Sequence, residues 1–189
     1  MARVTVLRTR IVEAAGALTG AEGWGAVTMG RLAAEVGVSR QTVYNEVGGK
    51  EALAEAMVLH ELDRFLAAVD AEMSGQDDVV EAVRRAANAV LTMAADDPLL
   101  RAVLSSTHGA GTDLLPLLTT HSAALLDTAA AVIRGHLEPY DLALPAERLE
   151  VGLDMVVRLV LSHVMQPRQS PERTADDIAW VAGAVLRPT

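Results

Sequence analysis

The chain has 189 residues, of which 51% are hydrophobic, 22% charged and only 3% aromatic, with a formal net charge of −9. That suffices for a sizeable core in one domain or two small ones, and the dominance of Ala, Leu and Val favours helices over strands. Cysteine is absent, which excludes disulfides and thiolate chemistry; no apolar run is long enough to span a bilayer, and the N-terminus lacks the apolar region of a signal peptide, so a cytoplasmic protein without membrane contact is expected.

The charge is unevenly spread. Residues 1–60 carry six basic groups (Arg3, Arg8, Arg10, Arg31, Arg40, Lys50) against six acidic ones (Glu13, Glu22, Glu35, Glu46, Glu51, Glu55), so the remainder carries all nine net negative charges. A neutral head on an acidic body suits local contacts with an anionic partner while the body opposes nonspecific binding. Ordinary solubility is the favoured account of the acidic body. Arg3, Arg8 and Arg10 read as a basic arm ahead of the first helix.

That helix is expected over about 6–19, where Ile11, Ala14, Ala15 and Leu18 recur at helical spacing before Gly20, Gly23 and Gly25 break it. Two short helices follow, over about 28–36 and 39–46, joined by a tight turn at Gly37-Val38. Thr28 and Ser39 carry oxygens suited to N-caps, because they can satisfy free backbone N–H groups at a helix start. Leu32, Ala33 and Val36 make one apolar edge, and Val38 and Val43 close a small core beneath it. Arg40, Gln41, Thr42, Tyr44 and Asn45 are left with polar ends facing outward. This is the pattern of a helix-turn-helix DNA reader. In the first turn of the second helix, Arg40 suits guanine O6/N7 and Gln41 suits adenine N6/N7. Thr28, Thr42, Tyr44 and Lys50 suit phosphates, which position rather than specify, and Asn45 suits either.

After Gly48-Gly49 a long helix is expected over about 50–73, with a buried stripe of Val58, Leu62, Phe65, Val69 and Met73. The next covers about 77–95, with Asp77 and Asp78 at its positive end, and Asp96-Asp97-Pro98 separates it from another over about 98–106. Beyond a loop at Thr107–Asp113, helices are expected over about 114–136, 145–166 and 171–186, the last capped by Ser170. The result is about nine helices and no convincing strand, an all-α fold. From Leu153 to Met165 the penultimate helix is apolar almost all round, broken only by a thin stripe of Asp154, Arg158 and Ser162. A helix apolar on every side is buried on every side. The simplest cause is its own domain on one side and a partner subunit on the other. Leu149, Gly152, Val156 and Val160, with Ile178, Val181, Ala182 and Val185, are expected to form a two-fold four-helix interface.

Thr9–Leu18 (TRIVEAAGAL), Glu22–Thr28 (EGWGAVT), Gly37–Lys50 (GVSRQTVYNEVGGK) and Glu51–Leu53 together resemble the N-terminal domain of the TetR family of transcriptional regulators, over about residues 9–55. Asp97–Leu104 and Val157–Pro167 are similar to segments of some members. The resemblance implies a helix-turn-helix domain at 1–48 and a larger ligand-binding and dimerisation domain at 49–189. It also implies DNA contacts at Thr28, Arg40, Gln41, Thr42, Tyr44, Asn45 and Lys50, and dimerisation through the last two helices. The chain departs from the family pattern at Thr19 and Val47, where an aromatic is common, at Gly30, and at Glu46, where His or Tyr is common. Trp24 is expected to fill part of the missing aromatic volume. Glu46 either points away from DNA or accepts a hydrogen bond from a cytosine amino group, since phosphates would repel it.

Family members enclose a small-molecule pocket among the fourth to eighth helices. The lining implied here is aliphatic: Met57, Phe65, Met93, Val103, Leu104, Leu125, Met155 and Leu159. So few rings fit a flexible apolar effector, such as a fatty acid, acyl derivative or alkane, better than a flat polycycle. Arg158, His121 and Ser162 are the polar candidates, with His60, His108 and His163 behind them. Arg158 is suited to a ligand carboxylate but has Asp154 one turn away as a ready ion-pair partner. No two histidines have metal-ligand spacing, and no metal or cofactor is expected. Nor is an enzyme: there is no Gly-x-Ser-x-Gly, no phosphate loop and no Gly-x-Gly-x-x-Gly. The expectation is a homodimeric, ligand-responsive repressor on a near-palindromic DNA operator. The alternative is a helical dimer serving as a protein-interaction module, with lost or altered DNA binding.

Overall fold

The computed structural model describes residues 2–105, 122–142 and 144–186, and the side chains at 6–101, 126–142 and 144–186. Among the described residues there are nine α-helices and no strand: α1 (Ala2–Glu22), α2 (Met29–Val36), α3 (Arg40–Val47), α4 (Lys50–Met73), α5 (Val79–Asp96), α6 (Pro98–Ser105), α7 (Ser122–Leu137), α8 (Ala146–Met165) and α9 (Pro171–Leu186). A 3-10 turn, Trp24–Ala26, joins α1 to α2. The expected start of α7 near residue 114 lies outside the described residues.

Side-chain oxygens mark where helices begin. Asp78 Oδ1 accepts from the backbone N–H of Val80 and Glu81 at 2.8 and 2.9 Å, so Asp78 is a cap and α5 starts after it, not at Asp77. Asp97 Oδ1 caps α6 through Leu100 N–H at 2.9 Å, and Ser170 Oγ lies 3.4 Å from Arg173 N at the start of α9.

Two compact units form. The first holds the chain through Asp63 together with α6; the second holds Arg64–Asp96 with α8, α9 and nearly all of α7. The division falls inside α4, which contributes to both cores. In the first unit Leu53, Ala54, Ala56 and Met57 of α4 are buried with Ile11, Leu32, Val43, Trp24 and Leu99. Met57 is therefore interior to the first core and does not line an effector pocket in the second unit. In the second unit Val69 and Met73 of α4 join Ala82, Val83, Leu91, Leu153, Ile178 and Ala182. Here α9 packs along α5, and both meet α8. Ala82, Ala86 and Ala87 on α5 and Ala175, Ala179 and Ala182 on α9 are all buried. Such small residues let two helix axes approach closely.

The first helix is longer than expected at both ends, and Gly20 sits inside it rather than breaking it. A Cβ built on Gly20 would lie 2.6 Å from Pro98 Cβ and 3.2 Å from its carbonyl carbon. Glycine is there because α6 crosses close by. Gly16, one turn earlier, has nothing within 4 Å. Alanine gains about 1 kcal/mol over glycine in a helix interior, whereas forcing atoms into a packed contact costs about 1–3 kcal/mol. The signs should therefore split: Gly16→Ala raises the urea midpoint, and Gly20→Ala lowers it by the equivalent of up to about 2 kcal/mol net. Equal shifts in the two unfolding curves would contradict the α1–α6 packing.

Candidate functional site

The motif is built from two eight-residue helices. Thr28 Oγ1 accepts from Arg31 N–H at 3.2 Å and starts α2. Gly37 ends it in the left-handed conformation, φ 73°, with Val38 N–H donating to Ala33 O at 2.9 Å. Only glycine takes that backbone without strain, and this fixes the turn. Ser39 Oγ then accepts from Thr42 N–H at 3.0 Å and starts α3. Leu32, Ala33, Val36, Val43 and Val47 are buried, with Val38 packed at the edge. On the other side of α3, Arg40, Gln41, Tyr44 and Asn45 are exposed and Thr42 is half-buried. These side chains are paired one turn apart. Arg40 Nη2 donates to Tyr44 Oη at 3.4 Å with its guanidinium 5.6 Å from the ring centroid, and Gln41 Nε2 donates to Asn45 Oδ1 at 2.9 Å. Arginine still has most of its five donors to offer.

The arginines of α1 do not form an arm. Arg8 and Arg10 lie within the helix, with their side chains spent on the motif: Arg8 Nη1 donates to Glu46 O at 2.7 Å and Arg10 Nη2 to Val36 O at 3.0 Å. Each guanidinium thus caps the negative C-terminal end of a motif helix. Arg3 is also within α1; its side chain lies outside those described. Glu46 is half-buried at the end of α3, and Gly30 is exposed on α2. The turn before α2 is braced by Arg31, whose guanidinium pairs with Glu22 at 2.6 Å and holds that carboxyl below its ordinary range. Lys50, at the start of α4, donates from Nζ to Trp24 O at 3.0 Å, with the ammonium 4.7 Å from the indole centroid.

In the second unit the candidate effector residues divide. Phe65, Met93 and Leu159 are half-buried. Met155, Arg158 and Ser162 face outward, so they do not line an interior of their own chain. Arg158 Nε is bound to both Asp154 oxygens, at 2.9 and 2.8 Å, and is not held ready for a ligand carboxylate. The side chains of Val103, Leu104 and Leu125, and all of His108 and His121, lie outside the described residues. His60 and His163 are half-buried. Sequence reading missed His136, which meets Asp70 at 3.0 Å, and Tyr140, whose hydroxyl donates to Gln76 O at 2.7 Å. Both contacts join positions far apart in the chain, so no spacing announces them.

The expected dimer residues divide as well. Gly152, Ile178 and Ala182 are buried within their own chain, and Leu149, Val156 and Val160 pack partly buried on the same core. Val181 is half-buried. Only Val185 is exposed, and a Cβ on Gly152 would meet its Cγ1 at 3.1 Å. The reason is geometric: the Ile178–Ala182 face of α9 is spent on α5, and the 149–152–156–160 face of α8 lies against the same core. On α8 and α9 the large apolar side chains left outside are Val151 (50% exposed), Met155 (62%), Leu161, Trp180 (77%) and Val185.

Two capped helices on a glycine turn, with an outward row of base- and phosphate-binding side chains, define a helix-turn-helix regulator. Residues 11–57 match the family model of bacterial regulatory proteins of the tetR family, and residues 78–184 that of the bacterial tetracycline repressor C-terminal domain. The chain belongs to the TetR family of transcriptional regulators, which are DNA-binding proteins rather than enzymes and typically ligand-responsive repressors. It is 31% identical over 175 residues to the HTH-type transcriptional regulator AlkX of Mycobacterium tuberculosis, covering 92% of this chain and 82% of that protein. Among solved structures it is similar to the TetR family repressor AlkX from Dietzia sp. strain DQ12-45-1b, implicated in biodegradation of n-alkanes, at 26% identity and a TM-score of 0.73 over 94% of each chain. The fatty acid degradation regulator FadR of Bacillus halodurans, 18% identical with a TM-score of 0.61 over 95% of this chain and 99% of its own, shares the fold. No helix among the described residues is long and apolar enough to cross a membrane.

The placement of Arg10 separates two roles. As a helix cap, Arg10→Met should lower stability by about 0.5–1 kcal/mol and loosen amide protection in the last turn of α2. As a phosphate contact, it would instead flatten the salt dependence of DNA binding by about one unit of slope. Urea unfolding and a salt titration on the same protein decide between them, and the geometry favours the first.

Proposed function

We propose that the chain is a homodimeric repressor that reads a near-palindromic operator with α3 and is released from it by a small aliphatic effector. The observation that carries the reading is the outward face of α3, where Arg40, Gln41, Tyr44 and Asn45 stand exposed on a helix capped at both ends. Arg40 and Gln41, in the first turn, are assigned to base edges; Thr28, Thr42, Tyr44 and Lys50 to phosphates; Asn45 to either. Two such helices enter successive major grooves about 34 Å apart. A repressor implicated in n-alkane biodegradation among the similar structures, and a chain with 3% aromatic residues, support an alkane, fatty acid or acyl derivative as effector. Phe65, Met93 and Leu159 remain the described candidates for its lining.

Selection from a random-sequence duplex library tests this reading. The recovered sites should be two half-sites about one helical turn apart. Arg40→Ala should cost about 1–3 kcal/mol on them and relax preference at one base pair per half-site. Fatty acids and n-alkanes titrated against the recovered complex should release it more strongly with chain length, by about 0.8 kcal/mol per buried CH₂, until the pocket is full. A chain that enriches no duplex but captures a protein would favour the interaction-module alternative.

The dimer is assigned to the outward faces of α8 and α9, with Val151, Met155, Trp180 and Val185 in place of the buried residues. Met155→Asp should dissociate the dimer with the monomer still folded, because the new charge is solvated once the partner leaves but costs several kcal/mol while buried between subunits. Sedimentation of a stable Met155→Asp dimer would move the interface elsewhere.

A further inference from the structure

We propose that Trp24 is a positioning residue for DNA binding: it holds the Lys50 ammonium where a backbone phosphate is received. The inference rests on the reading of Lys50 as a phosphate contact under the proposed function. Lys50 is exposed at the first position of α4, yet its ammonium is fixed by two features of one residue, the Trp24 carbonyl at 3.0 Å and the face of the Trp24 indole at 4.7 Å. Trp24 itself is immobilised, being 5% exposed and packed in the first core. Its carbonyl belongs to a 3-10 turn and also accepts Val27 N–H at 3.2 Å. The turn is tied to α2 by Arg31, which pairs with Glu22 and approaches Ala26 O at 3.4 Å.

The chemistry leaves Lys50 usable. An ammonium has three donors. The carbonyl takes one, and the ring attracts the charge through its negative face without taking a donor. Two donors remain for an anion. A lysine stem is among the side chains with most rotamer freedom to lose, and here much of that freedom is already lost before DNA arrives. Preorganisation of this kind raises affinity without a new contact. It is independent of sequence, because the group served is a phosphate contact. Lys50 is the only lysine among sixteen cationic residues, and its ammonium is a compact point charge where the arginines carry a planar fork.

The test is a double-mutant cycle in the full-length chain: wild type, Trp24→Leu, Lys50→Ala and the double variant. Each is titrated over a range of salt against a duplex recovered from the random library and against a scrambled duplex of equal length. Trp24→Leu should weaken both duplexes alike, by roughly three- to tenfold, and the loss should vanish once Lys50 is alanine. Trp24→Phe, with a weaker ring face, should fall between. A loss of equal size in both backgrounds would show that Trp24 acts through the fold, and no loss at all would overturn the proposal directly. If Lys50→Ala leaves affinity and salt slope unchanged, the phosphate reading of Lys50 fails and this inference falls with it. A loss of about one unit of slope in Lys50→Ala with an additive cycle sinks the inference alone. Should Trp24→Leu fail to fold, the same cycle with Trp24→Phe decides by the same coupling.

Discussion

An eight-residue helix does not hold itself together, and the reading helix α3 has eight residues. Nucleation is costly, and an isolated helix shorter than about 12–15 residues is marginal in water. Everything around α3 supplies what it lacks. Val43 and Val47 anchor its inner face in the core. Ser39 satisfies an orphan N–H at one end, and Arg8 takes an orphan carbonyl at the other. Its outer face is thereby released from any structural duty and can be polar. A surface helix held by only one side is what base recognition needs, because the other side must meet DNA as a rigid edge.

The same economy governs the long first helix. One face of α1 buries Ile11, Val12 and Ala15 in the first core. Arg8 and Arg10 reach from it to the last turns of α3 and α2. The cations that composition suggested for DNA are therefore partly committed to the scaffold. The first sixty residues balance six positive against six negative charges, so attraction to DNA falls to the few groups that face outward. An interface with few cations gains from holding each one ready, which is where the Trp24–Lys50 contact acquires its value.

Local chemistry was legible in the sequence; long-range packing was not. Thr28, Ser39 and Gly37 announce caps and a turn because each acts within three or four residues. The apolar spacing of α2 and α3 likewise identified what is buried. Gly20 misled because a glycine that breaks a helix and one that admits a neighbouring helix look alike; Pro98, 78 positions away, decides. The penultimate helix misled for a related reason. Its all-round apolarity suggested two covered sides, whereas within the chain only Gly152 and Leu153 of this helix are buried, and the pattern alone cannot say which side belongs to the chain. Small residues on α5 settle it by drawing the Ile178–Ala182 face of α9 inward.

Helix α4 is where the two cores share one element. Leu53 and Met57 near its start are buried in the first core and Val69 and Met73 near its end in the second, with Val58, Leu62 and Phe65 half-buried between. On the proposed function, an effector acting on the second core therefore acts on the helix that also carries Lys50. The size of effect required is modest. A useful coupling is about 1–3 kcal/mol, and a single cap at a helix end is worth about 1 kcal/mol. The reader depends on several contacts of that size: Ser39 on Thr42, Arg8 on Glu46 and Trp24 on Lys50. Of these, Trp24 on Lys50 is the one that α4 itself carries, so on that proposal it is the contact an effector would disturb through this helix.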